Sequence, residues 1–348
     1  MHDATAAVTA VAAELGDVAV GVAPFATRAS GGTGQHLAQV AVALEAAGRD
    51  VHVAPGAAEA LPAAPARRSL TGSDPYERLD SYDTWVAEQW LPRQQPLGAV
   101  VGVPGASRRL FEAVPHARRI LVATNLHAAT NRRWAMAAIR RTPLEASWLS
   151  RRLVRRMCAE YELADLILTN SPLCHEVFLD AGIAESKLRL APITLPEQPA
   201  RPAQAEPDPA VDVLYVGGLT VEKGVVDLLH AFRAAAPAHA SLRLMGGPRS
   251  PGMRRYLARA AGRDPRITWG PGQAWQQLPT ARLVVVPSHA DSFSFAVAEA
   301  VVSGVPVVTT DHVGAAHLIA DGAAAPGSAI VPAGDRAALA EAMRRHQR

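Results

Sequence analysis

The chain has 348 residues, 49% of them apolar, and a formal net charge of only +3. A single core rarely grows past roughly 250–300 residues, so two domains are expected, and the apolar content excludes wholesale disorder. The charge is too small to argue for a nucleic-acid partner, and the only two cysteines, Cys158 and Cys174, read as reduced thiols with no Cys or His at a metal-ligand spacing.

Residues 1–16 carry Asp3 and Glu14 but no Lys or Arg. A secretory signal needs a basic start and an apolar middle, so none is read here. No apolar run is long enough to cross a bilayer, and a cytoplasmic location is expected. Residues 17–23 form a first short strand, followed by the glycine loop Ser30-Gly31-Gly32-Thr33-Gly34. Leu37, Val40, Ala41 and Leu44 then recur at helical spacing as far as Gly48, and 50–54 is a second strand. Strand, glycine loop, helix and strand in that order make a βαβ unit with a parallel sheet. Residues 55–75 read as a loop, and strands follow at 97–103, 120–124, 164–170 and 188–192.

The stretch 196–210, PEQPARPAQAEPDPA, is too rich in proline for a helix or a central strand and reads as a linker. Beyond it the alternation restarts. Strands are expected at 211–216, 242–245, 267–269, 283–287, 305–310 and 329–332, with helices at 224–236, 253–261, 295–303 and 336–345. The fold class is therefore α/β, with two doubly wound Rossmann-like domains, 1–197 and 198–348. Such a pair places a ligand cleft near the carboxyl ends of the strands.

The strongest chemical signal is 284–310, VVVPSHADSFSFAVAEAVVSGVPVVTT. A buried strand ends at Pro287-Ser288, a polar loop carries Asp291, and the next helix carries Glu299. The two carboxylates can address one ligand, since carboxylates are bidentate acceptors for sugar hydroxyls. The amides of Ser292, Phe293, Ser294 and Phe295 stand at a helix N-terminus, where they can meet phosphate or hydroxyl oxygens. A second signal is LYVGGLTVEKGVVDLLHAF at 214–232. Gly217 and Gly218 permit close backbone approach, and the two together allow a positive φ at 218. Lys223 precedes a helix start, a position suited to a diphosphate.

These two segments resemble the signatures of glycosyltransferase family 4, the retaining GT-B enzymes also called glycosyl transferases group 1. The likeness runs through nearly the whole chain, including Ala164-Asp165, Val313-Gly314 and Asp321-Gly322. It implies a nucleotide diphosphate sugar as donor, a hydroxyl acceptor, no cofactor and no metal. By resemblance Asp291 holds the donor sugar, Glu299 the ribose hydroxyls and Lys223 the diphosphate. Gly31 and Gly32 correspond to the acceptor-side glycine loop, and His127 to a His that contacts the donor sugar, one residue late. The sequence also departs from the family. Asp291 stands for the usual Glu, Ser294 for a second Gly, and Gly218 for an Arg, which leaves Arg249 or Arg282 as replacement phosphate cations. Family members commonly continue with helices that cross back to the first domain, a segment expected to be missing beyond Arg348.

Two alternatives stay open: a non-catalytic partner or binding protein of GT-B type, and a sugar-nucleotide epimerase or phosphorylase on the same fold. The basic stretch from Arg132 to Arg156, with Trp134 and Trp148, suits a peripheral membrane contact, an anionic acceptor or a plain solvated face.

Overall fold

The computed structural model describes residues 4–25, 32–61, 75–193, 211–272 and 278–346. The proline-rich linker and Gly31 lie outside them. The chain forms two compact units, one of residues 1–132 with 148–194, the other of 133–147 with 195–348.

The first unit contains α1 (Ala4–Leu15), β1 (Val20–Val22), α2 (Gly32–Ala46), β2 (Val51–Val53), α3 (Ala57–Ala60), α4 (Pro75–Trp85), β3 (Ala99–Gly102), α5 (Arg108–Ala113) and β4 (Arg118–Ala123). After β4 comes α6 (Ala128–Arg141), whose second half is counted with the other unit, then α7 (Arg151–Leu163), β5 (Leu166–Thr169), α8 (Pro172–Asp180) and β6 (Leu188–Leu190). Its strands make one parallel sheet in the order β2-β1-β3-β4-β5-β6. Strands β3 and β5 are buried throughout, as expected for a parallel sheet covered on both faces. The apolar positions read from the sequence of α2, Leu37, Val40, Ala41 and Leu44, are all buried. Ser171 caps α8 by accepting from the Cys174 amide at 3.0 Å, with Pro172 at the first helical position.

The second unit repeats the plan with β7 (Val211–Val216), α9 (Val225–Ala235), β8 (Leu242–Met245), α10 (Pro251–Arg263), β9 (Ile267–Gly270), β10 (Ala281–Val286), α11 (Phe295–Val302), β11 (Val307–Thr310), α12 (His317–Ala320), β12 (Ala329–Val331) and α13 (Arg336–Arg345). Its parallel sheet runs β12-β11-β10-β7-β8-β9. In this order β7 and β10 are central neighbours, so the loops after them emerge side by side at the carboxyl edge. The core is continuous from Val213, Leu244 and Val285 on the sheet to Leu228, Phe232, Leu257 and Met343 on the helices. Ala138 and Ile139 of α6 are buried in the same core, and Met136 and Leu144 pack against it. The sequence reading leaves residues 133–147 in the first domain.

Candidate functional site

The chemistry-bearing residues of the second unit gather where β7, β8 and β10 end. After β7 the chain turns through Gly217, at φ +145, in a region open to glycine. The positive φ thus falls at 217 and not at 218, which has an ordinary backbone conformation. The Gly217 amide donates to the Met245 carbonyl at 3.0 Å, and Leu219 pairs with the Gly247 carbonyl at 3.1 Å. Those bonds lash the loop after β7 to the loop after β8. The approach depends on Gly246, where a Cβ would lie 1.9 Å from the Gly217 carbonyl oxygen.

Next comes the turn that carries Lys223. Its amide donates to Thr220 Oγ1 at 3.1 Å. Gly224 then starts α9 at φ +73, and a Cβ there would lie 1.9 Å from the Pro287 carbonyl oxygen. Only glycine allows this turn to sit so close to the end of β10. Proximity brings the two sequence signals together: Lys223 Nζ donates to Asp291 Oδ2 at 2.8 Å and to the Ala290 carbonyl at 3.3 Å. Both side chains are partly exposed, at 28% and 18%. A ligand can therefore reach the pair.

The loop of Asp291 is anchored from the other side. Its amide donates to the His312 carbonyl at 3.1 Å, and its carbonyl accepts from Gly314 at 2.9 Å. The Phe293 carbonyl accepts from Ala315 at 2.6 Å. Phe293 packs edge-on against Phe295, with ring centroids 5.4 Å apart. Ser292, Phe293 and Ser294 are buried, which brings the chain to the start of α11 with little freedom. Ser294 takes φ +77 at this start and makes no side-chain cap. The first turns of α9 and α11 therefore begin without a hydroxyl or carboxylate cap from their own N-cap residues. Glu299 lies further along α11, half-buried, and burial raises its carboxyl above the usual range. Among the described residues its carboxylate has no ion pair or hydrogen bond.

Three contributors have no clear sequence signal. Tyr215, the penultimate residue of β7, donates its phenol to the Gly218 carbonyl at 2.8 Å. Burial raises that phenol first, the charge of Asp291 adds to the effect, and Arg249 opposes it. Glu145 accepts from the Val221 amide at 2.7 Å and so holds the Lys223 turn. Burial raises the Glu145 carboxyl. Its contact spans 76 positions of chain, too far for any local pattern to reveal. Finally, Asp227 on α9 binds both His289, at 2.7 Å, and Arg336, at 2.6 Å. Burial works against its ionised form, and these two partners hold its carboxyl below the ordinary value all the same.

Of the two candidate replacement cations, Arg282 sits at the start of β10 and faces Asp212 at 3.6 Å, at the opposite edge of the sheet from the Lys223 turn. Arg249 follows β8, and its guanidinium lies 3.5–3.7 Å from where a Cβ on Gly218 would be.

In the first unit, Gly32 opens α2, and the recess beside this helix has a volume of about 400 Å³, lined by Val22, Pro24, Leu37, Ala54 and Pro55. His127 follows β4 but is only 7% exposed, between Tyr161 at 5.0 Å and Phe178 at 5.4 Å. Burial lowers its pKa to about 4, so the ring is neutral at pH 7. The basic stretch is divided. Arg156 is buried against Asp80, Asp83 and Glu160, Arg132 donates to the Leu149 carbonyl, and Trp134 stacks on His312 in the second unit. Arg133, Arg140, Arg141, Arg151 and Arg155 are exposed. No group of three potential metal ligands and no helix long and apolar enough to cross a membrane occurs among the described residues.

Residues 210–347 match the model of the family described as glycosyl transferases group 1. No curated protein sequence matches the chain. Solved structures share the fold over nearly its whole length. A sucrose-phosphate synthase from Thermosynechococcus elongatus is 19% identical with a TM-score of 0.70, covering 94% of this chain and 88% of that one. The catalytic domain of starch synthase IV from Arabidopsis thaliana, bound to ADP and acarbose, is 11% identical with a TM-score of 0.67, covering 94% and 91%. A trehalose 6-phosphate synthase from Burkholderia multivorans is 14% identical with a TM-score of 0.61, covering 95% and 91%. Residues 210–347 thus match the glycosyl transferases group 1 model within a chain that has the two-domain fold of the GT-B type, and the class of enzyme is glycosyltransferase.

Proposed function

We propose that the protein transfers a sugar from a nucleotide diphosphate sugar to a hydroxyl acceptor, with retention of the anomeric configuration and without a metal ion. The observation that carries this reading is the pairing of Lys223 with Asp291 at 2.8 Å, beside the uncapped starts of α9 and α11. A cation and two helix N-termini suit a diphosphate. Asp291 suits the sugar hydroxyls, and Glu299, desolvated and unpaired among the described residues, suits the two hydroxyls of a ribose. The acceptor belongs to the first unit, where Gly32 opens α2.

In the reaction the bond from the anomeric carbon to the phosphate oxygen breaks, and its electron pair stays on that oxygen. The acceptor oxygen forms the new bond to the same face of the carbon, and its proton passes to the departing phosphate. No side-chain base is required. The contribution of the protein is to stabilise charge that grows on the diphosphate, for which fixed donors in a partly dry site are effective.

Thermal unfolding with UDP, GDP, ADP and TDP and their sugars tests the donor. A ligand at one hundred times its dissociation constant stabilises by about 2.7 kcal/mol, so a selective rise is readily seen. Transfer from the selected donor should then proceed in EDTA, and the product linkage should keep the donor configuration by NMR. If no nucleotide raises the melting temperature and no sugar moves, the reading is wrong.

A further inference from the structure

The cation supplied by Lys223 is partly spent, because its ammonium already contacts the Asp291 carboxylate. A diphosphate brings more than one negative charge, and a single compensated Lys leaves most of it unmatched. The loop after β8 offers a second cation. Arg249 is exposed, and among the described residues it makes no ion pair or hydrogen bond. Its guanidinium occupies the space beside Gly218 that a side chain there would fill. The same loop is fastened to Gly217 and Leu219 by backbone bonds at 3.0 and 3.1 Å, so Arg249 is carried on the turn that faces the ligand. Tyr215 reports the grouping, since Asp291 and Arg249 both act on its phenol.

We propose that Arg249 is a catalytic residue, the second phosphate-binding cation of this site, and that Gly218 is small so that the guanidinium can lie across it. The inference rests on the donor reading above. A guanidinium presents two parallel N–H groups to two phosphate oxygens, where an ammonium acts as a point charge. Electron density moving to the phosphate oxygen as the glycosidic bond breaks meets those donors, and Arg249 therefore assists both binding and departure.

The test uses the full chain and the nucleotide base that stabilises the wild type, compared as nucleoside, monophosphate and diphosphate by calorimetry. Arg249→Ala should weaken the diphosphate roughly ten- to hundredfold and the nucleoside less than about threefold, the range for a charge-assisted hydrogen-bonding partner. Arg249→Lys should recover part of the loss, and Arg282→Ala, at the other edge of the sheet, should change neither. The double variant Gly218→Arg with Arg249→Ala should regain diphosphate affinity. In the wild-type background Gly218→Arg alone should lower the rate through crowding and like charge. Melting curves separate misfolding from loss of binding. If Arg249→Ala binds the diphosphate as tightly as wild type does, the assignment of Arg249 is overturned while the donor reading stands. If wild type itself binds no diphosphate, both fall.

Discussion

Glu299 is a carboxylate that burial has made costly to ionise and that the described residues leave without a counter-charge. Such a group gains most when a ligand hydroxyl reaches it. Glu299→Gln keeps the shape and removes the charge, and donor affinity should fall by about 1–3 kcal/mol with the fold intact. Unchanged affinity in a folded variant would remove Glu299 from the site. Lys223→Ala leaves Asp291 without its partner, and on the proposed role of the Lys at the diphosphate it should depress turnover more than it depresses nucleoside binding. Equal losses for nucleoside and diphosphate would show that the variant had only loosened the turn. Lys223, Asp291 and Glu299 can be picked out as candidates from the sequence because their segments carry a short local pattern of strand end, turn and helix. The sequence offers Arg249 and Arg282 alike as candidates. What favours Arg249 is the lateral bonding of two strand-end loops, a relation between distant segments that no window of sequence contains.

Two helices of the second unit start from a residue of positive φ, one a glycine and one a serine. Gly224 at φ +73 precedes α9, while Ser294 at φ +77 precedes α11. A side chain in that region costs about 1–2 kcal/mol, less the entropy that glycine would lose on folding. Ser294→Gly should therefore raise stability by about 0.5–1 kcal/mol in urea denaturation. A fall would mean that the Ser294 hydroxyl holds the loop in some way worth more than the strain. Gly224→Ala should cost about 2–4 kcal/mol, combining strain with the collision against the Pro287 carbonyl. Most strands were readable because parallel strands buried on both faces are plain apolar runs. Helix α1 was not, since its buried positions are Val8, Val11 and Ala12 in an Ala-rich background, and small residues blur the period. Helix α4 was hidden for another reason. Its buried face includes Asp83, which accepts from the Arg109 and Leu110 amides at the start of α5 and looks, in sequence, like an exposed acid.

At the scale of the whole molecule, buried ionisable groups give the first unit opposed pH dependences. His127 falls from 6.5 unfolded to about 4 folded, through burial. Its neutral form is the one the fold accepts, so its contribution is fully present above 6.5 and is lost as the pH falls through 4. Glu160 runs the other way. Burial lifts it from 4.5 to about 7, so its contribution is present below 4.5 and is lost as the pH rises through 7. The net curve alone cannot separate them, but a variant can. His127→Phe suits the contacts with Tyr161 and Phe178 and should flatten the acid side of the stability curve by up to about 3 kcal/mol between pH 7 and pH 4. Urea denaturation at the two ends of that range checks it, and an unaltered slope would mean that the ring is charged or hydrated in the native state.

The assignment of residues 133–147 to the second unit means that the backbone passes between the units three times. A protease that cut within 196–210 would leave the pieces joined through α6, so a clean cut there should not release either half. The same threading defeats the obvious way of splitting the gene. A fragment of 198–348 lacks Ala138 and Ile139, which fill its core, and Glu145, which grips the Val221 amide. Expressed by itself it should be poorly soluble and hold the Lys223 turn loosely, and a peptide of 133–147 supplied in trans should act as its missing keystone.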